Sequence, residues 1–289
     1  MHPTLARLLT ATPVITDGAW GTQLQSLGLP PGECPDHWNL THPDEVRQVA
    51  QRYVDAGSQV ILTNTFGANR ITLAGNGLAD NAKEINTAGV RISKDAAGSR
   101  ALVFASMGPC GKMLMTGDVT EEELSSAFTE QAAALAAAGA DAIVIETMTD
   151  IEEARIAVHA AHATGLPVIA SMVFDSGKDK DRTMMGTPPE VVAEELTAAG
   201  ADVIGANCGL GIEGYIPIAR RMRAATTLPV WIKANAGLPE MNNGKITYRT
   251  TPEEFATQAK QLREAGVAFV GGCCGTSPEF VAALTRTLR

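Results

Sequence analysis

A phrase that recurs four times along this 289-residue chain constrains its fold more than any other feature. In each copy, Ala-Gly closes a segment of helical periodicity, and a short run rich in Val and Ile follows. Glycine just past a helix end supplies a left-handed cap that other residues resist. A β-branched run without strict alternation is typical of a parallel strand buried on both faces. The copies lie at Ala56-Gly57, Ala138-Gly139, Ala199-Gly200 and Ala265-Gly266.

Four further runs of this kind bring the number of predicted strands to eight. They begin at Pro13, Ala101, Leu166 and Leu228. The segments between runs have apolar residues at helical spacing and acidic residues in their first turns, which favours helices. Eight strand–helix units in 289 residues predict an α/β protein, a (β/α)8 TIM barrel that forms a single domain over residues 1–289. A doubly wound open sheet is the alternative.

The charge balance excludes several classes of partner. The chain has a formal net charge of −9 and is 45% hydrophobic and 19% charged, which is typical of a soluble globular enzyme. Without an excess of Lys and Arg, a nucleic acid or an anionic membrane is not expected as a partner. The sequence has no signal-peptide pattern and no run of 18 apolar residues, so we expect a cytoplasmic protein. Five cysteines in that reducing compartment indicate metal binding, catalysis or burial.

In a barrel of this kind the active site lies at the carboxyl ends of the strands. Polar residues and cysteines follow six of the predicted strands at that end, so they should share one rim. They are Asp17, Asn64, Glu146, Asn207, Cys208, Asn235, Cys273 and Cys274.

Three of these rim residues are Cys208, Cys273 and Cys274. Three thiolates suit Zn²⁺, which binds sulfur tetrahedrally, and a site with three protein ligands keeps its fourth position for a substrate. Cys208 lies 65 positions before Cys273, which is not a zinc-finger spacing, so closure of the barrel must bring them together. A lone cysteine is more often a small buried hydrophobe, and Cys34 and Cys110 are interpreted in that way.

Two carboxylates, Asp17 and Glu146, stand at the same predicted mouth. They could hold the ammonium group of an amino-acid substrate through charge-assisted hydrogen bonds. Helix capping is the alternative interpretation for both. Asn235 is interpreted either as a spare oxygen ligand or as a turn residue.

Lys233 supports a rival function. It shares a strand face with Asn235 and should point into the barrel, where a lysine is costly unless it is paired or functional. A Schiff-base lyase or aldolase would use such a lysine, with Gly271-Gly272 binding a phosphate as loops at this position of a barrel often do.

Seven segments together resemble the zinc-dependent homocysteine S-methyltransferases, which include the betaine–homocysteine methyltransferases and the homocysteine-binding domain of cobalamin-dependent methionine synthase. The segments are TDGAWGTQL, WNLTHPDEV, AGSQVILTNTFGANR, IETMTDIEEA, GANCGLG, IKANAGLPE and VGGCCGTSPE, and they span nearly the whole chain. VGGCCGTSPE is the most specific of them.

The resemblance implies a role for each rim residue. Cys208, Cys273 and Cys274 would be the zinc ligands, with Asn235 in the fourth position until the substrate displaces it. Asp17 and Glu146 would contact the amino group of homocysteine, and backbone groups near Gly272 would hold its carboxylate. The implied reaction is transfer of a methyl group to the homocysteine thiol, which gives methionine.

The methyl donor is the least determined part of this hypothesis. The main expectation is an onium compound such as betaine, in a pocket formed by Trp20, Trp38, Asn64 and Phe66. The chain departs from animal betaine enzymes, because Gly67 and Thr147 occupy the positions of two of their tyrosines. One alternative is a separate methylcorrinoid protein as donor. Another is a zinc-stabilised binding barrel without catalysis.

Overall fold

A computed structural model of the chain describes residues 1–242 and 245–289, with side chains described outside 242–246. Eight parallel strands form the central sheet, and an antiparallel hairpin of two short strands precedes the last of them. The central strands are β1 (Val14–Ile15), β2 (Val60–Ile61), β3 (Leu102–Met107), β4 (Ala142–Met148), β5 (Val168–Met172), β6 (Val203–Gly211), β7 (Val230–Asn235) and β10 (Phe269–Gly272). The hairpin strands are β8 (Glu240–Asn242) and β9 (Lys245–Thr247).

The central sheet closes into a barrel. Its strands lie in the order β1-β10-β7-β6-β5-β4-β3-β2, and a parallel bridge between Thr16 and Val60 joins β1 to β2. An open doubly wound sheet would leave two edges at this point. The predicted (β/α)8 barrel is therefore confirmed, and the open-sheet alternative is wrong.

Helices surround the barrel. Those in the described residues are α1 (Pro3–Leu8), α2 (Gly21–Ser26), α3 (Trp38–Thr41), α4 (Pro43–Asp55), α5 (Arg70–Ala74), α6 (Ala82–Ala97), α7 (Glu121–Ala137), α8 (Ile151–His162), α9 (Pro189–Ala198), α10 (Ile212–Ala225), α11 (Pro252–Glu264) and α12 (Pro278–Leu288). Short 3-10 turns span Pro35–His37 and Ala79–Asn81. No described helix is long and apolar enough to cross a membrane.

Helix α7 illustrates why these segments start and stop where they do. The Thr120 hydroxyl accepts a hydrogen bond from the Glu123 amide, and the Glu123 carboxylate accepts one from the Thr120 amide, which forms a capping box. Three glutamates in the first turn face the positive end of the helix dipole. Gly139 follows the helix with φ +97°, so the left-handed stop predicted from the Ala-Gly phrase is present.

A cluster of hydrophobic side chains fills the inside of the barrel below the rim. Every central strand contributes to it, and Trp231 lies in its middle, stacked on Phe104 and tilted against Phe269 with ring centroids 6.3 Å and 5.4 Å away. Leu5 of α1 belongs to the same cluster at the amino-terminal end of the strands. Because the interior is packed with apolar side chains, the polar rim residues can be approached only from the carboxyl ends of the strands.

Candidate metal centre and substrate site

The three rim cysteines lie together. The Sγ atoms of Cys208, Cys273 and Cys274 are within 4.8 Å of one another, and those of Cys208 and Cys274 are 3.9 Å apart. Tetrahedral zinc with Zn–S bonds of about 2.3 Å places its sulfur ligands about 3.8 Å apart. The cluster therefore has the spacing of a metal-binding site, as the sequence predicts, whereas Cys34 and Cys110 lie outside it.

Backbone contacts fix each cysteine. Cys208 adopts a left-handed conformation with φ +62°, and the buried hydroxyl of Tyr215 donates to its carbonyl oxygen at 2.6 Å. The Cys273 amide donates to the carbonyl of Ala234 in β7 at 2.7 Å. The Thr276 hydroxyl donates to the Cys273 carbonyl at 2.7 Å. Strand ends that are 65 positions apart in sequence thus hold the thiols in one place.

The charge state of the cluster favours a cation. Hydrogen bonds from Cys273 and Cys274 lower the pKa of Cys208 to about 3. The hydrogen bond to Cys208 raises the pKa of Cys273 to about 11, and the same partner raises the pKa of Cys274. Cys208 is therefore the most acidic of the three thiols. A divalent cation would stabilise all three as thiolates and release the remaining protons.

Asn235 provides an oxygen atom of the right kind beside this rim. Its side chain is buried at the end of β7, and its Oδ1 has no hydrogen-bond partner among the described residues. A buried polar atom without a partner costs free energy unless a ligand or an ion completes it. This is the chemistry expected of a spare ligand, and it argues against the turn-residue interpretation.

Glu146 lies buried at the end of β4, where its carboxylate accepts a hydrogen bond from the Ser106 hydroxyl at 2.5 Å. Burial raises the pKa of Glu146 to about 7, against the opposing effect of Lys233. The cap of the following helix, α8, is Asp150, which accepts from the Glu152 amide. Asp150 and not Glu146 therefore caps α8, and contact of Glu146 with a substrate amino group stays a prediction.

Asp17 is fully buried and ion-paired with Lys233. Its Oδ2 accepts hydrogen bonds from the Trp20 indole and the Leu62 amide, each at 2.7 Å. Asp17 does not cap α2, whose N-terminus has no side-chain cap. Its carboxylate holds strands β1, β2 and β7 together, and its contact with a substrate amino group stays a prediction.

The ion pair between Lys233 and Asp17 argues against a Schiff-base role for Lys233. Burial acts to lower the pKa of Lys233, but the Asp17 and Glu146 carboxylates outweigh it and raise the pKa above its usual value. Schiff-base formation requires a neutral amine, whereas this lysine is a cation locked to Asp17.

Gly271 and Gly272 lack the open space that a phosphate would need. A Cβ on Gly271 would lie 1.9 Å from the Thr16 hydroxyl, and one on Gly272 would lie 2.3 Å from the Thr276 hydroxyl. The Gly272 amide donates to the carbonyl of Asp17 at 2.9 Å. Gly271 therefore permits close approach to Thr16, and Gly272 close approach to Thr276, which argues against the phosphate-binding interpretation. The Gly272 amide is also already occupied, which leaves neighbouring backbone groups for a substrate carboxylate.

The predicted donor-pocket residues differ in exposure and in the contacts that they make. Phe66 is 41% exposed and lies over Gly108, where a Cβ would approach its ring to 2.5 Å. Trp20 is partly buried and tied to Asp17. Trp38 is 3% exposed and stacks on His42 with ring centroids 4.3 Å apart. Trp38 also donates a hydrogen bond from its indole to the Glu33 carboxylate at 2.9 Å, and its place in the donor pocket stays a prediction.

Asn64 is also committed to a structural network. Its side-chain amide donates to the Pro35 carbonyl at 2.7 Å and to Asn39 at 3.1 Å. The Asn39 amide returns a bond to the Asn64 carbonyl at 2.7 Å. These contacts fix the loop after β2 against the segment before α3.

Several residues at the site were not singled out from the sequence. Tyr215, in the first turn of α10, holds the Cys208 carbonyl, and Ser106 holds Glu146. Tyr248 follows the β8–β9 hairpin, and its ring fills the space above Gly275. Burial, followed by the neighbouring cysteine sulfurs, raises the pKa of Tyr248 to about 12. No sequence pattern around Tyr215, Ser106 or Tyr248 indicates a role in the site. A tyrosine near a helix start, such as Tyr215, is usually a packing residue.

The fold and site define a class: a (β/α)8 barrel with a thiol cluster and a buried carboxylate at the carboxyl ends of its strands. The chain belongs to the homocysteine S-methyltransferase family, whose model matches residues 14–288.

Curated relatives agree with this assignment, and solved structures agree with the fold. The chain is 30% identical to methionine synthase of Mycobacterium tuberculosis over 96% of its own length and 25% of that protein, and 29% identical to the Mycobacterium leprae methionine synthase. It spans about a quarter of the length of the curated relatives it matches. Its fold matches the homocysteine methyltransferase MmuM from Escherichia coli, with a TM-score of 0.82 for the oxidized form, 23% identity and 99% coverage of both chains. The metallated form of MmuM gives the same TM-score at 24% identity, over 98% of this chain and 99% of that one.

Proposed function

We propose that this chain is a zinc-dependent homocysteine S-methyltransferase that forms methionine. The observation that carries the proposal is the cluster of Cys208, Cys273 and Cys274, whose sulfurs have the spacing of tetrahedral zinc ligands. The family membership and the names of the methionine synthase and MmuM relatives support homocysteine as the methyl acceptor.

Zinc bound by the three thiolates would lower the pKa of the homocysteine thiol, so that its sulfur is nucleophilic at neutral pH. The rest of the task falls to the chain itself. The Glu146 carboxylate receives the substrate ammonium, whose positive charge favours the ionised acid. Asn235 offers its unpaired Oδ1 to the same space. In the reaction the sulfur–methyl bond forms as the bond between the methyl group and its donor breaks, and the thiol proton leaves to solvent.

For the donor we propose a small onium compound such as betaine. An onium carbon bears a positive charge that aromatic faces stabilise, and the exposed ring of Phe66 beside Gly108 offers such a face at the rim. The partly buried indole of Trp20 is a second candidate face.

A methyl group delivered by a separate methylcorrinoid protein is the second candidate. Two observations favour it. One is the similarity of the chain to the methionine synthases of Mycobacterium tuberculosis and Mycobacterium leprae. The segments that follow β3, β5 and β7, including β8, also expose apolar side chains, which suit contact with a protein partner. They are Met113, Met115, Met184, Met185, Leu238 and Met241.

One set of measurements separates these possibilities. The purified protein should contain about one zinc per chain by elemental analysis. With homocysteine it should form methionine from betaine or another onium compound; methionine formed only when a methylcorrinoid protein is added would select the second candidate. A zinc-loaded protein that forms no methionine with any donor would be a binding barrel and would refute the proposal. Zinc-free protein with full activity would refute the metal assignment.

A further inference from the structure

Two barrel strands end in bulges, and each bulge carries a residue of the candidate site. The pairing of β4 with β5 shifts register around Glu146. The pairing of β6 with β7 shifts register around Cys208. Bulges beside active sites commonly re-aim a side chain. Here they turn the proposed ammonium ligand and a proposed zinc ligand toward the mouth of the barrel.

Both bulges contain a strained residue. Thr147 has φ +63° and Cys208 has φ +62°, and Lys180 in an exposed loop is the one other non-glycine residue with positive φ in the described part of the chain. Residues with a Cβ resist the left-handed region. Such conformations persist when surrounding contacts over-determine them, so the contacts that hold Thr147 and Cys208 are part of the construction of the site.

The side chain of Asn207 supplies these contacts for Thr147. Its Oδ1 accepts a hydrogen bond from the Thr147 amide at 2.8 Å, and its Nδ2 donates to the Thr147 hydroxyl at 2.7 Å. The same Oδ1 accepts from the Ser171 hydroxyl at 2.7 Å, and Nδ2 also lies 4.0 Å from the Cys273 sulfur. Asn207 is fully buried. All four of its amide hydrogen-bonding positions are therefore used, two of them on Thr147.

The backbone of Asn207 is anchored as firmly. The buried Tyr215 hydroxyl is 2.9 Å from the Asn207 carbonyl and 2.6 Å from the Cys208 carbonyl, and it donates to this pair. Asn207 thus links two strand ends. It belongs to β6, and its side chain binds Thr147 at the end of β4.

We propose that Asn207 is a positioning residue that sets the separation between Glu146 and the thiol cluster, and thereby selects the length of the amino-acid thiol that the site accepts. The inference rests on the proposed function, in which the substrate ammonium meets Glu146 and the substrate sulfur meets the cysteine cluster. A substrate bound at both ends must match this separation. Cysteine is one methylene shorter than homocysteine. The ratio of the two affinities therefore measures how well the separation between Glu146 and the thiol cluster matches homocysteine.

The test compares homocysteine and cysteine binding by calorimetry in the zinc-loaded wild type, Asn207→Ala, Thr147→Gly and the double variant. Asn207→Ala should weaken homocysteine binding ~10-fold, the order expected when a left-handed residue loses its support, and should lower the preference for homocysteine over cysteine. Adding Thr147→Gly to Asn207→Ala should restore most of the homocysteine affinity and most of the preference for homocysteine over cysteine, because glycine adopts φ +63° freely. Ser171→Ala is the matched control, since it removes one bond to Asn207 without touching Thr147, and it should stay within ~3-fold of wild type.

Each outcome has a distinct meaning. Wild-type protein that neither binds homocysteine nor forms methionine would overturn the proposed function. Wild-type protein that does both, combined with an Asn207→Ala variant of unchanged affinity and selectivity, would overturn this inference alone. An unchanged defect after Thr147→Gly would do the same. If Asn207→Ala does not fold, Thr147→Ala and Thr147→Gly decide the question: both lack the hydroxyl, and the alanine variant should bind homocysteine ~3-fold more weakly and with less selectivity. Equal binding by these two variants would refute the role of the strained bulge.

Discussion

Replacing Lys233 with methionine would leave the carboxylate of Asp17 buried without its cation. The two side chains are 2% and 0% exposed, so water cannot take the place of the lysine. Asp17 would keep its hydrogen bonds from the Trp20 indole and the Leu62 amide. Glu146 would lose a neighbouring positive charge that opposes the effect of its burial.

The size of the effect follows from this environment. Removing one partner of a buried ion pair costs about 3–5 kcal/mol of folding free energy, and the two remaining hydrogen bonds to Asp17 place the value near the lower end, at about 3 kcal/mol. With an unfolding entropy of about 2.1 cal/mol/K per residue and 289 residues, the melting temperature should fall by about 5 °C. Combining Lys233→Met with Asp17→Asn removes both charges and should recover at least about half of the loss.

Urea denaturation of the two single variants, the double variant and the wild type at matched zinc content measures these differences. A loss below about 1 kcal/mol, or a double variant as unstable as the sum of the singles, would refute the claim that this pair acts as a buried electrostatic unit.

Four further outcomes are expected. Cys208→Ser should reduce bound zinc well below one per chain by elemental analysis, whereas Cys110→Ser, outside the cluster, should retain it; equal zinc in both would contradict the ligand assignment. Tyr215→Phe should weaken zinc binding ~10-fold in chelator competition, because it releases the Cys208 carbonyl; an unchanged affinity would exclude that role. Homocysteine affinity should fall as the pH drops below about 7, where Glu146 gains a proton, and Glu146→Gln should weaken binding and flatten that part of the profile. Phe66→Ala should raise KM for an onium donor several-fold and leave homocysteine binding unchanged; an unchanged donor KM would remove Phe66 from the pocket.

Much of the fold was accessible from the sequence because its signals are local. A helix stop needs only a glycine at the right place, and a buried parallel strand needs only a short β-branched run. Gly139, with φ +97° after α7, is one case where the phrase and the structure coincide. The β8–β9 hairpin was not anticipated, since it adds a small antiparallel unit outside the repeating pattern.

In the candidate site, too, some residues could be predicted from the sequence and others could not. The cysteine trio could be picked out because sulfur ligands are rare and two of them are adjacent, and the rule that barrel sites lie at strand ends placed them together. The pairing of Lys233 with Asp17 could not, because 216 positions separate the two residues and only closure of the barrel brings them into contact. The stacking of Trp38 on His42 could not be predicted either, because the residue type alone does not show which neighbour an aromatic ring contacts.

The sequence by itself determined the barrel, the end of it that carries chemistry and the thiols that could hold a metal. Only the tertiary structure decided which carboxylate is paired with Lys233, that this lysine stays a cation, and how the strained ends of β4 and β6 are joined through Asn207. The physical reason is range: periodicity, capping and residue type act over a few residues, whereas the hydrogen bond from the Thr147 amide to Asn207 spans 60 positions and exists only once the strands lie side by side.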